Sequence, residues 1–190
     1  MTMRLRPRAS RSLWCPRSVG WLSGAATLLP ALVLAAAIGL GDRIPEFRLA
    51  TAKAAAFSST DLAGSVTCID FWASWCAPCR RALPALDVIA RRHADQGLRV
   101  LAVSIDDDPA GAARFLEKLV PGTALTALFD PDGELMARFG AAGMPALYLV
   151  DRDGVVRRIE SGYGPERLEA IEHDVERLLR EPPSRGARQP

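Results

Sequence analysis

Acidic residues are missing from the first 41 positions, where five arginines (Arg4, Arg6, Arg8, Arg11 and Arg17) carry all the charge. Histidine occurs only twice and cysteine four times in 190 residues, and aromatic residues make up 6%. Charge-free runs of membrane-spanning length are equally scarce, with a single one near the N-terminus, which excludes a polytopic membrane protein. No internal repeat is visible, which excludes a solenoid or collagen-like fibre. What is present is 49% hydrophobic and 24% charged, too apolar for a disordered chain. The formal net charge of +2 conceals three parts: +5 over residues 1–41, −5 over residues 42–181 and +2 over residues 182–190. The body therefore lacks the clustered basic surface that nucleic-acid binding requires.

The uncharged run spans residues 19–40, VGWLSGAATLLPALVLAAAIGL. As a helix it would cross about 30 Å of hydrocarbon. With the arginines before it, the positive-inside bias keeps residues 1–18 in the cytoplasm and sends the body across the membrane. Ala35 and Ala37 offer a signal-peptidase pattern. The run is longer than a signal-peptide core, which favours an uncleaved anchor. Cys15, before the run, is incidental. The tail 182–190 is rich in Pro, Gly and Arg and is expected to be disordered.

Residues 41–181 have the size of one domain. Ile44 to Leu49 reads as an edge strand, because Pro45 is tolerated only there. Val66 to Trp72 (VTCIDFW) is a near-continuous apolar run, the mark of a central strand buried on both faces. A helix follows from about Cys76 to Gln96, stopped by Gly97, with Pro84 expected to kink it. Leu98 to Ile105 is a second buried strand, and Asp106-Asp107-Asp108-Pro109 opens a helix reaching Leu119. The three aspartates match no calcium loop and read as a solvated helix start. A short strand at Leu125 to Phe129 and a short helix at Glu134 to Phe139 come next. Ala146 to Val150 and Val155 to Ser161 flank a turn and form a hairpin. Pro165 starts a last helix with Leu168, Ile171, Val175, Leu178 and Leu179 on one face. Alternating strands and helices with a closing hairpin predict an α/β sheet covered on both faces.

Trp75-Cys76-Ala77-Pro78-Cys79 is the motif that carries chemistry. A Cys-x-x-Cys pair is either half of a zinc site or a redox dithiol. A zinc site needs four ligands, and the body adds only Cys68, His93 and His173, with both histidines on helices. The redox reading fits the position. At a strand-to-helix junction, Cys76 meets unpaired N–H groups and the positive end of the helix dipole, which stabilise a thiolate. Cys76 is therefore the expected nucleophile. Cys79 leads the apolar stripe Leu83, Leu86, Ile89, points inward, and is the expected resolving thiol, with Cα atoms about 5–6 Å apart. Asp70, six residues before Cys76, is a carboxyl in an apolar strand, where a raised pKa would let it take the Cys79 proton. Cys68 lies on the same strand face and is expected to be an inert buried thiol. Met144-Pro145 directly precedes a strand, where a cis bond is cheap.

The run Asp70-Phe71-Trp72-Ala73-Ser74-Trp75-Cys76-Ala77-Pro78-Cys79-Arg80 resembles thioredoxin-like proteins. With the N-terminal anchor, it is similar to their membrane-tethered branch, the TlpA/ResA/DsbE-like thiol–disulfide oxidoreductases. Ile44-Pro45-Glu46-Phe47-Arg48-Leu49, Val103-Ser104-Ile105-Asp106 and Gly143-Met144-Pro145-Ala146 through Asp151 extend the likeness over about residues 42–180. The resemblance implies a thioredoxin-like fold, a redox pair at Cys76 and Cys79, and a cis Pro145 beside it. Trp75, Pro78, Met144 and Pro145 would then contact an extended polypeptide substrate, with the Met144 backbone pairing with it. It implies no cofactor, an extracytoplasmic (periplasmic) domain on the cytoplasmic membrane, and a DsbD/CcdA-like membrane electron donor. Clients would be apocytochrome c or copper-site proteins. Asp70 matches thioredoxin itself, where this branch often has Asn; Ala82 stands where the branch often has Glu.

A reductase of protein disulfides is thus the leading expectation, though the same site would run as an oxidant with another partner. The alternative is a copper(I) chaperone using the same soft thiolates. The motif has no neighbouring histidine or Met-rich segment, which favours redox chemistry.

Overall fold

The computed structural model describes residues 37–53 and 55–182. The central strand β3 (Val66–Trp72) is buried at every position, as a strand covered on both faces must be. It pairs in parallel with β4 (Leu98–Ser104), which pairs in parallel with β5 (Thr126–Phe129). On its other side β3 meets β6 (Ala146–Val150) antiparallel, and β6 turns back into β7 (Val156–Ser161). The hairpin turn is held by Asp151, whose Oδ1 accepts from the N–H groups of Asp153 (2.9 Å) and Val155 (3.0 Å).

The N-terminal strand departs from the expectation. Residues 44–47 are not in a ladder; β1 is Arg48–Thr51 and lies between β5 and an additional strand, β2 (Ala56–Ser58). The edge belongs to β2, giving the order β2-β1-β5-β4-β3-β6-β7. Before Pro45 the chain makes only an isolated bridge, Arg43 to Val155, and because Pro45 cannot donate to a ladder, β1 begins only after it.

Alternation along β3 sends its side chains to opposite faces. Val66, Cys68 and Trp72 join one core with helices α1 (Ala77–His93), α2 (Pro109–Leu119) and α4 (Pro165–Arg180). Ile69 and Phe71 join the opposite core with α3 (Glu134–Phe139). There Phe71, Phe139 and Tyr148 meet edge to face, and the Tyr148 hydroxyl donates to the Phe139 carbonyl at 2.9 Å. Pro84 lies inside α1, which runs unbroken from Ala77 to His93. A 3₁₀ turn at Ala94–Gln96 then ends at Gly97, whose φ of 94° a side chain would disfavour.

Among the described residues no helix is long and apolar enough to cross a membrane. Residues 1–18, most of the expected anchor (19–36) and positions 183–190 of the expected tail lie outside the described residues.

Candidate active site

The loop from Ala73 to Cys76 joins the C-terminal end of β3 to α1 and presents the dithiol. Cys76 is the N-cap of α1, and its Sγ accepts a hydrogen bond from the Cys79 N–H at 3.3 Å. Pro78 sits in the first turn, where its missing N–H costs nothing. Cys76 and Cys79 form a disulfide with Cα atoms 5.3 Å apart. Cys76 keeps 6% of its surface in solvent and Cys79 none, so a substrate sulfur can reach only the first. Beside them Trp75 is 66% exposed, unusual for so large an apolar side chain. A groove of about 310 Å³ opens there, lined by Ser74, Trp75, Asp107, Asp108 and Phe115 among others.

The sheet brings Pro145 to the same end. Ala146 of β6 pairs with Phe71 of β3, so Pro145 lies level with Trp72, just before the active-site loop. The Met144–Pro145 bond is cis. Met144 packs, partly buried, against the core that contains both cysteines.

Asp106 corrects the reading of the three aspartates as a solvated helix start. It is 8% exposed, and its carboxylate accepts from the Ser74 N–H (2.9 Å), the Ser74 hydroxyl (2.7 Å) and the Ser104 hydroxyl (2.8 Å). The residue that pins the active-site loop thus comes from beyond the end of β4, 32 positions from Ser74. Only Asp107 and Asp108 face solvent. The one available signal was that Asp106 directly follows a buried strand ending beside β3. Asp106→Ala would strand these buried donors at about 1–3 kcal/mol for an unpaired group. We expect a loss of about 2–3 kcal/mol in urea unfolding of the oxidised protein. A change below about 0.5 kcal/mol, the usual surface value, would show that the loop does not depend on it.

Asp70 is 1% exposed, and its Oδ2 has no hydrogen-bond partner among the described residues. Burial pushes its carboxyl well above the usual carboxylate range. Cys68, two residues away, is fully buried and is free. Burial, then the nearby Asp70 charge, pushes its thiol up to about 12, so it stays protonated and unreactive at neutral pH.

The histidines are not with the dithiol. His93 ends α1, about 25 Å of helix from Cys76. There it approaches Glu172 of α4 at 3.3 Å, with Glu176 nearby. Arg92 is also paired to Glu172, and Gln96 lies 3.3 Å from the other His93 ring nitrogen. The cluster joins two helices through already partnered groups.

A strand-to-helix Cys-x-x-Cys disulfide beside a cis proline, on this sheet order, directs the comparison with known proteins. The family model described as Redoxin matches residues 40–179. The chain belongs to the Redoxin family. Similar curated proteins include the thiol-disulfide oxidoreductase ResA of Geobacillus thermodenitrificans (strain NG80-2), 26% identical over 126 residues, 66% of this chain and 71% of that protein. The thiol:disulfide interchange protein DsbE of Pseudomonas aeruginosa is 30% identical over 150 residues, 77% of this chain and 81% of the relative. Among solved structures, a DsbE-type protein from Chlorobium tepidum superposes with a TM-score of 0.70 at 34% identity, covering 75% of this redoxin and 99% of that chain. This redoxin has a thioredoxin-like α/β fold and is a thiol–disulfide oxidoreductase of the DsbE/ResA type.

Proposed function

We propose that the chain is a membrane-tethered, extracytoplasmic reductase of protein disulfides acting in the maturation of cytochrome c or a related thiol-containing client. One observation carries the reductase chemistry: a helix-capping disulfide of which only Cys76 keeps any surface in solvent. The tether rests on the charge-free run 19–40 behind five arginines.

In the reduced protein, Cys76 is a thiolate held by the Cys79 N–H and the N-terminal end of α1. It attacks one sulfur of the client disulfide, forming the Cys76–client mixed disulfide and releasing the other client sulfur as a thiolate. Cys79 then loses its proton to Asp70 and attacks the Cys76 sulfur. The second client thiolate leaves, and the product is the Cys76–Cys79 disulfide. Two electrons pass from the dithiol to the client. An electron donor of the DsbD/CcdA kind, working across the membrane, restores the dithiol, because a translocated domain meets an oxidising compartment. Trp75 and Pro78, which flank Cys76 in the chain, and Met144 and Pro145, at the same end of the sheet, form the contact surface for an extended polypeptide.

The test is capture of the client. Cys79→Ser, expressed as the full chain in its native cell, stops the reaction at the mixed disulfide. We expect a small set of extracytoplasmic thiol proteins to be held on Cys76 and released by dithiothreitol. Recovery of cytoplasmic proteins alone would overturn the compartment. No adduct, in cells or with a model disulfide, would overturn the chemistry.

A further inference from the structure

Asp70 has a difficulty as a base: it is sealed from solvent, yet each turnover must bring it a proton and take one away. The structure contains an outlet. A cavity of about 20 Å³ adjoins Asp70, bordered by Pro145, Leu147, Glu160, Tyr163 and Arg167. A single water requires roughly 10–15 Å³ measured this way, so one fits. The strand register explains why Glu160 is there. Asp70 of β3 pairs with Leu147 of β6, and Leu147 pairs with Glu160 of β7. All three side chains share one face, and the two acids stand about 10 Å apart across the sheet. Glu160 is partly exposed, with 17% of its side chain in solvent.

We propose that Glu160 is the proton outlet of the active site, linked to Asp70 by one water in this cavity. The relay rests on the reading of Asp70 as the base for Cys79. The Cys79 thiol proton passes to the Asp70 carboxylate; Asp70 hands it to the water, and the water gives a proton to the Glu160 carboxylate, which releases it to bulk solvent. No electrons move in this step.

The groups around the path suit it. Cys68 on β3 stays protonated and supplies no competing base. Apart from Cys79, α1 contributes the apolar Ala82 and Leu86, and β6 contributes Pro145 and Leu147. Arg167 of α4 lies 3.7 Å from Glu160, and Arg158 lies 2.6 Å from it while also holding Asp174 of α4 at 2.7 Å. These two arginines hold the Glu160 carboxylate at the edge of the cavity. Burial raises the proton affinity of Asp70, so once it has taken the Cys79 proton it gives that proton up only where a route exists. Glu160 acts through Asp70 and is a positioning residue for proton transfer, not a catalytic one.

The test separates attack from resolution. The reduced full-length chain is mixed with the aryl disulfide DTNB. Cys76 attack releases a first coloured thiolate, and Cys79 resolution releases the second. We expect Glu160→Gln to leave the first phase unchanged and slow the second about tenfold, below the roughly hundredfold or greater range of direct general-base catalysis. Glu160→Asp, which keeps a carboxylate, should recover most of the rate. Combining Glu160→Gln with Asp70→Asn should be no slower than Asp70→Asn alone. The unsubstituted chain should show a curved dependence of the second phase on deuterium content, since more than one proton moves.

An unchanged second phase in Glu160→Gln, with Asp70→Asn slow, overturns the relay and leaves Asp70 as the base. Unchanged second phases in both overturn the reading of Asp70 as well. Equal slowing by Glu160→Gln and Glu160→Asp, additive slowing in the double variant, or a linear deuterium dependence would each overturn the relay in favour of a structural role.

Discussion

Cys76→Ser is expected to lower reduction of a protein disulfide such as insulin by at least about a thousandfold, to the uncatalysed background. Serine keeps the size and the helix-capping geometry but replaces a readily ionised thiol with an alcohol that stays protonated at neutral pH. The helix N-terminus that favours the Cys76 thiolate cannot offset so large a difference. Cys79 cannot take over, because none of its surface is in solvent. The assay follows insulin precipitation with dithiothreitol as electron source and the unsubstituted chain alongside. Activity retained in Cys76→Ser would mean that another group attacks, and the assignment of the site would fall. The only other described cysteine, Cys68, is an unpromising substitute, being fully buried with its thiol pushed up to about 12.

Asp70→Asn should have two opposite effects, faster resolution being excluded and lower stability being excluded with it. Resolution of the mixed disulfide by Cys79 is expected to slow about a hundredfold, the lower end for loss of a general base. Stability at neutral pH is expected to rise. Burial raises the Asp70 pKa in the folded state above the ordinary 3.8, so folding favours the protonated carboxyl. That contribution is complete below the unfolded pKa and is lost as pH rises from there through the folded pKa. Asparagine has no proton to lose. The stability difference in favour of Asp70→Asn should therefore grow above about pH 4, by up to about 1.4 kcal/mol per pH unit. Urea unfolding of both proteins across that range gives the answer. Parallel stability curves would show that Asp70 ionises in the fold as freely as in the unfolded chain. An unchanged resolution rate would leave it a structural group.

Both expectations draw on features that stand in order along the chain. The pattern of β3 was readable because a strand buried on both faces must be apolar throughout, which makes Asp70 conspicuous. Cys76 and Cys79 were readable because a strand-to-helix junction places the first cysteine at a helix cap and the second one turn inside. The hairpin, the closing helix and the resemblance of the active-site run are local patterns of the same kind. The edge strand was misplaced because Ile44 to Leu49 has a strand-like composition, whereas pairing depends on which neighbour is reached after Pro45.

The sequence by itself determined the order of elements from β3 onward, the dithiol, the buried acid and the charge asymmetry of the ends, since each is a property of neighbouring residues. Only the tertiary structure decided that Asp106 leaves solvent to hold Ser74, and that Glu160 shares a cavity with Asp70. The physical reason is register. Hydrogen bonding across the sheet fixes which side chains become neighbours, and residues separated by 32 or 90 positions carry no local mark of one another.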